Sequence, residues 1–199
     1  MTDRPYPQER VHDPRILRAI AHPVRNRILG ELSASGPSRA ADLARDLDIP
    51  ANQASFHLRQ LAKYGLVVEA PQQARDRRDR VWRVADERGL AIDTGVMEEA
   101  PGGKAAVGVF NRSSSAWARQ IVDAAYFGER LPGTQRTISN YTIRLTKDEA
   151  RQLSSELDDV VQEWSARTRG RDPERRTYVL LSMLLPYPPT SDEASDSDG

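Results

Sequence analysis

Apolar residues recur at helical spacing through the first third of the chain. Ile16, Leu17 and Ile20 share one face of a helix that can start after Asp13, a carboxylate able to accept first-turn amides, with Pro14 in the first helical position. His22-Pro23 breaks that helix. A second one carries Val24, Ile28, Leu29 and Leu32 and stops at Gly36-Pro37. Ser38 stands where a cap is expected for a third helix, with Ala40, Leu43, Ala44 and Leu47 turned inward. A fourth starts near Pro50 and runs to Lys63, with Gly65 as its stop. The period then changes. Leu66-Val67-Val68 and Val81-Trp82-Arg83-Val84 read as short strands, and the intervening APQQARDRRDR is too charged to be core, hence an exposed hairpin tip.

In the second half the pattern thins and then returns. Residues 86–103 contain Gly89, Gly95, Pro101, Gly102 and Gly103 and read as a linker. A helix is expected over 104–128, with Val107, Phe110, Ser114, Trp117, Ile121, Ala125 and Tyr126 on one side. Tyr141 to Leu145 alternates like a strand. Thr146 to Glu149 is a capping box, and the helix it opens carries Ala150, Leu153, Leu157, Val160, Val161 and Trp164 on one stripe. Tyr178 to Leu185 is a nearly continuous apolar strand candidate. Residues 1–12 and the acidic end 187–199 have the composition of disordered ends. The expected fold class is α+β, mainly helical. A winged helix-turn-helix over 13–85 is followed by a small α+β C-terminal region over 104–186, for dimerisation or effector binding.

Charge sharpens that division. The net charge is zero, yet residues 1–85 hold 15 Lys/Arg against 10 Asp/Glu and residues 86–199 hold 14 against 19. A basic front half and an acidic back half suit a nucleic-acid module joined to something that does not touch nucleic acid. The absence of Cys excludes disulfides and thiolate metal sites. No apolar run approaches the roughly 18 residues of a membrane span, and the N-terminus lacks a signal-peptide core, so a cytoplasmic protein without a membrane partner is expected.

The fourth helix carries the chemistry. On a wheel of 100° per residue, Ala54, Leu58 and Leu61 define a buried side. Asn52, Phe56, Arg59 and Lys63 fall opposite, with Gln53 and Gln60 on one edge and Ser55 on the other. Asn and Gln suit adenine, Arg suits guanine, and Lys63 near the helix end suits phosphate. Phe56 is out of place on a solvated face. It should touch thymine methyls, pack against another protein surface, or fold back on the wing. His57 falls between core and surface, as a partly packed residue or a phosphate donor. Arg75, Arg77, Arg78 and Arg80 crowd the hairpin tip, either as a solvated turn offset by Asp76 and Asp79 or as contacts to the DNA backbone and minor groove.

These segments, AIAHPVRNRILGEL, ADLARDLDIPANQASFHLRQLAKYGLV and RDRRDRVWRV, resemble the winged helix-turn-helix of ArsR-type bacterial regulators over residues 13–85. Residues 104–186 more loosely resemble an extension found in one branch of them. The resemblance implies a homodimer on double-stranded DNA, and a repressor that leaves DNA on binding an effector. Metal sensing is not carried over. The third helix has no thiol, and the histidines His12, His22 and His57 do not supply the three or four convergent ligands of a zinc site. No metal, cofactor or catalytic residue is expected. Trp117, Tyr126, Phe127, Tyr141, Trp164 and Tyr178 are candidate walls of a small-molecule effector pocket, or ordinary core and interface residues. Two other functions fit the same chain: an architectural DNA-binding protein without effector, and a protein–protein module on a winged-helix scaffold. No phosphate-binding glycine loop or nucleophile elbow supports an enzyme.

Overall fold

The computed structural model describes residues 13–74, 79–89 and 94–187. Helix α1 (Pro14–Ile20) begins as its sequence dictates, with the Asp13 carboxylate accepting from the Arg15 amide at 2.9 Å. Helix α2 (Pro23–Ser35) ends at Gly36, whose φ of 75° suits a residue without Cβ. Strand β1 (Ser38–Arg39), helix α3 (Ala40–Asp46) and helix α4 (Ala51–Lys63) follow, then strands β2 (Val67–Glu69) and β3 (Val81–Val84), with a single 3-10 turn at Pro71–Gln73 between them.

The sheet is antiparallel in the order β1-β3-β2. Val67 pairs with Val84 and Glu69 with Trp82 in the hairpin, while Ser38 pairs with Trp82 on the other side of β3. Ser38 is therefore not the cap of α3. Its backbone joins the sheet, its buried hydroxyl donates to the Gly36 carbonyl at 2.9 Å, and Arg39 takes the capping position without a side-chain cap. A two-residue strand is below what periodicity can reveal, which is why it reads as a helix boundary in sequence.

Leu17, Ile28, Leu32, Leu43, Leu58, Leu61 and Val67 are fully buried against one another, with Trp82 and Val84 closing the sheet side. Each such aliphatic side chain contributes roughly 1.5–3 kcal/mol by burial. The stretch read as a linker contains a further helix, α5 (Thr94–Glu99), and Met97 from it is fully buried in the same core. Helix α6 (Gly103–Phe127) adds Ala106 and Val107, with Phe110 packed alongside, and Ser113 hydrogen-bonds the Ala21 carbonyl at the end of α1. Six residues around one buried methionine are too few for a period to show, so composition dominated that reading.

Helix α7 (Lys147–Thr168) opens on the expected box: the Thr146 amide donates to Glu149 Oε2 at 2.7 Å, and the Glu149 amide to Thr146 Oγ1 at 3.2 Å. Arginines at its far end fasten it to the winged domain. Arg169 donates to the Ser33 carbonyl and pairs with Glu87, and Arg171 reaches Asp46 and the Ser38 hydroxyl, both at 2.8 Å. The two C-terminal strand candidates form no sheet. Residues 141–145 and 178–185 are neither helical nor part of a ladder, the sheet among the described residues is β1, β2 and β3 alone, and α6 and α7 are the regular elements of residues 103–187. A strand is defined by the backbone it pairs with, and no described segment pairs with either stretch.

Candidate nucleic-acid interface

Helix α4 owes its orientation to its buried side. Ala54, Leu58 and Leu61 are completely buried, and they fix the opposite side toward solvent. Asn52, Phe56, Arg59 and Lys63 all lie exposed on it, with Gln53, Ser55 and Gln60 half-buried along its edges. The Asn52 side-chain oxygen accepts from the Gln53 amide at 2.9 Å. Among the described residues no carboxylate forms a salt bridge with Arg59 or Lys63, leaving both charges available to a polyanion. Phe56 is 49% exposed, and its ring touches that of His57 edge-on at 5.3 Å.

The turn before α4 sets how far it projects. Asp48 takes a φ of 51°, the Ile49 amide returns to the Ala44 carbonyl at 2.9 Å, and Arg27 from α2 caps the Leu47 carbonyl at 2.7 Å. Arg25 does the same for α1, donating to the Ala19 and Arg18 carbonyls. The roles of Arg25 and Arg27 are invisible in the sequence, because their partners are backbone atoms brought close by the fold.

His57 is a packed residue: it is 4% exposed, and its ring sits 4.6 Å from that of His22. The Nδ1 atoms of both rings are buried without a hydrogen-bond partner. Burial lowers the pKa of each first; the Arg25 charge adds to it for His22, and His22 followed by Arg25 adds to it for His57, so the neutral form of both rings is favoured. His12 lies outside the described residues. Among the described residues no cluster of three or more His, Asp or Glu is placed to hold a metal.

Of the wing arginines, Arg75, Arg77 and Arg78 lie outside the described residues. Arg80 is exposed at the base of the hairpin, 3.8 Å from Glu69. Behind it, Arg39 forms a two-point pair with Asp42 at 2.7 and 2.9 Å and approaches Asp79 at 3.6 Å. The Arg39 hydrogen bonds depress the Asp42 carboxyl to a pKa of about 2. The aromatic candidates for an effector pocket are not gathered. Trp117 is half-buried on α6, while Tyr126, Tyr141, Trp164 and Tyr178 are each more than half exposed, with Arg167 stacked 3.7 Å over Trp164.

Helices α2, α3 and α4, with a tight turn before α4 and an antiparallel hairpin after it, meet the geometry of a winged helix-turn-helix. Residues 20–70 match the helix-turn-helix domain family. The chain carries such a domain; the match is to the domain and does not single out the ArsR-type branch. Solved structures similar to the chain include a mutant of ZitR from Lactococcus lactis in apo form, at 16% identity over 75% of this chain and 88% of that one, with a TM-score of 0.33. A mutant of MarR from E. coli is similar at 15% identity over 74% and 87%, TM-score 0.33. A transcriptional regulator from Thermotoga maritima follows at 13% over 79% and 86%, TM-score 0.29. Curated proteins gave no match. None of the described helices is long and apolar enough to cross a membrane.

Proposed function

We propose that this protein is a sequence-specific transcriptional regulator that lays α4 in the DNA major groove and acts as a homodimer. The observation that carries the reading is the exposed row Asn52, Phe56, Arg59 and Lys63 on a helix whose opposite face is locked into the core. A helix positioned that rigidly, with base-reading groups outward, is a preorganised probe for base edges. The resemblance to ArsR-type repressors supports repression by occupying an operator. Release by a small molecule needs an enclosed site, and the aromatic candidates enclose none within one chain; such a site would be built where two copies meet.

The test is selection of bound duplexes from fragments of the source genome at two salt concentrations. An enriched inverted repeat with half-sites one helical turn apart supports the regulator. Salt-sensitive retention without a motif replaces it with an architectural protein. No retention at either salt replaces it with a protein-binding module, for which half-exposed Phe56 is the natural anchor.

A further inference from the structure

The second half of this chain has the ingredients of a layered domain but does not assemble them. No backbone amide or carbonyl of residues 135–145 or 176–187 is hydrogen-bonded to another backbone group among the described residues. Tyr141, Ile143, Leu180, Met183 and Leu185 are more than half exposed, as are Val160 and Trp164 on the apolar stripe of α7. The Gln135 amide donates to the Tyr178 hydroxyl at 3.2 Å, so the two stretches begin within side-chain reach of each other.

The surface area measures what is missing. A compact chain of 22.3 kDa exposes about 9,400 Å²; this one exposes 15252 Å². If every residue outside the described set is assigned the roughly 160 Å² of an extended chain, and the described residues are held to the roughly 8,300 Å² of a compact chain of their own mass, an excess of about 1,800 Å² remains. That is about twice the ~800 Å² each partner contributes to an interface of standard size, and it falls in the range of obligate homodimers.

We infer that residues 136–145 and 177–185 are strands completed by a second copy of this chain, forming a sheet between copies that the α7 stripes cover, so that this sheet exists only in the dimer. The sequence supports that occupant. Tyr141 to Leu145 alternates, as a strand with one covered face does, whereas Tyr178 to Leu185 is apolar on both faces, as a central strand is. An inner strand, an outer strand and an amphipathic helix are complementary parts, and two copies supply each of them twice. Arg169 and Arg171 hold the end of α7 against α2 and α3, so the exchanged sheet would also fix the distance between the two α4 helices. The inference deepens the dimer reading given above, but it does not require that reading's DNA contact.

The full chain tests it without DNA, by sedimentation and by amide hydrogen exchange followed across a dilution series. The expected result is a dimer in which amides of 137–145 and 178–185 are protected. That protection should fall with dissociation, while α2 and α4 keep theirs. A monomer at tens of micromolar, or a dimer whose two segments exchange freely, overturns the inference. Replacing Leu181→Glu together with Met183→Glu should yield monomers with protected α2 and α4; a double variant that remains dimeric also overturns it. If that variant loses protection in α2 and α4 as well, the dilution series on the natural chain decides. A protected dimer that retains no duplex DNA would support the exchanged sheet and refute the regulator, so the two readings fail separately.

Discussion

At the scale of single residues, α4 divides its labour by angle. Arg59 is exposed and central on the outward row, and a bidentate guanine contact is worth roughly 1–3 kcal/mol of discrimination. Arg59→Ala should therefore weaken binding most at one base position of the operator, measured by titrating single-base variants; equal losses on all sequences would make it a phosphate contact. The buried His22–His57 pair sets a pH limit. Both pKa values are lowered in the folded state, so the unfolded chain takes up protons first as pH falls. Their contribution is complete above the unfolded value near 6.5 and is lost as pH drops below it toward the folded values. Arg25 is the charged group facing the pair, and Asp42, at about 2, titrates well below this window. The urea midpoint should hold above about pH 7 and decline as pH falls below about 6.5, and His57→Leu should flatten that decline. The outward row is legible from the wheel alone because period and residue type agree. The histidine pair is not, because His22 and His57 meet only when the turn between α1 and α2 packs on α4.

At the scale of elements, strong local chemistry is what the sequence displays. Asp13, Gly36, Gly65 and the Thr146 box mark helix ends that the structure keeps. Elements that exist through tertiary pairing are hidden: β1 is two residues long, and α5 is six residues around Met97. The tight turn before α4 is a third case, since nothing local announces that Asp48 adopts a positive φ. An L side chain in that region costs about 1–2 kcal/mol, with Asp among the more tolerant. Asp48→Gly should therefore leave stability unchanged or raise it slightly, while Asp48→Val should lower it by about 1–2 kcal/mol. Urea unfolding of the two variants checks this; equal midpoints would mean the turn relaxes to another conformation and α4 is less firmly set than its buried face implies.

At the scale of the molecule, the alternation of 141–145 and the apolar run of 178–185 are legible in the sequence, but neither joins a ladder among the described residues, and a single sequence does not say how many copies of itself it needs. Copy number has a direct consequence for binding. One α4 and one wing neutralise few phosphates, and the observed affinity falls with salt at a slope of about −0.9 per phosphate contact. A dimer that holds two α4 helices in a fixed relation engages two half-sites at once, so its slope should be about double that of one copy. The Leu181→Glu, Met183→Glu double variant provides the single-copy reference while leaving every residue of α4 and β3 in place. Binding to one inverted-repeat duplex, titrated between 50 and 200 mM salt, should then show the natural chain losing affinity about twice as steeply on a logarithmic scale. Equal slopes with the variant monomeric by sedimentation would mean that only one copy of the natural dimer touches DNA. The C-terminal half would then govern solubility and copy number, and operator choice would rest on a single helix.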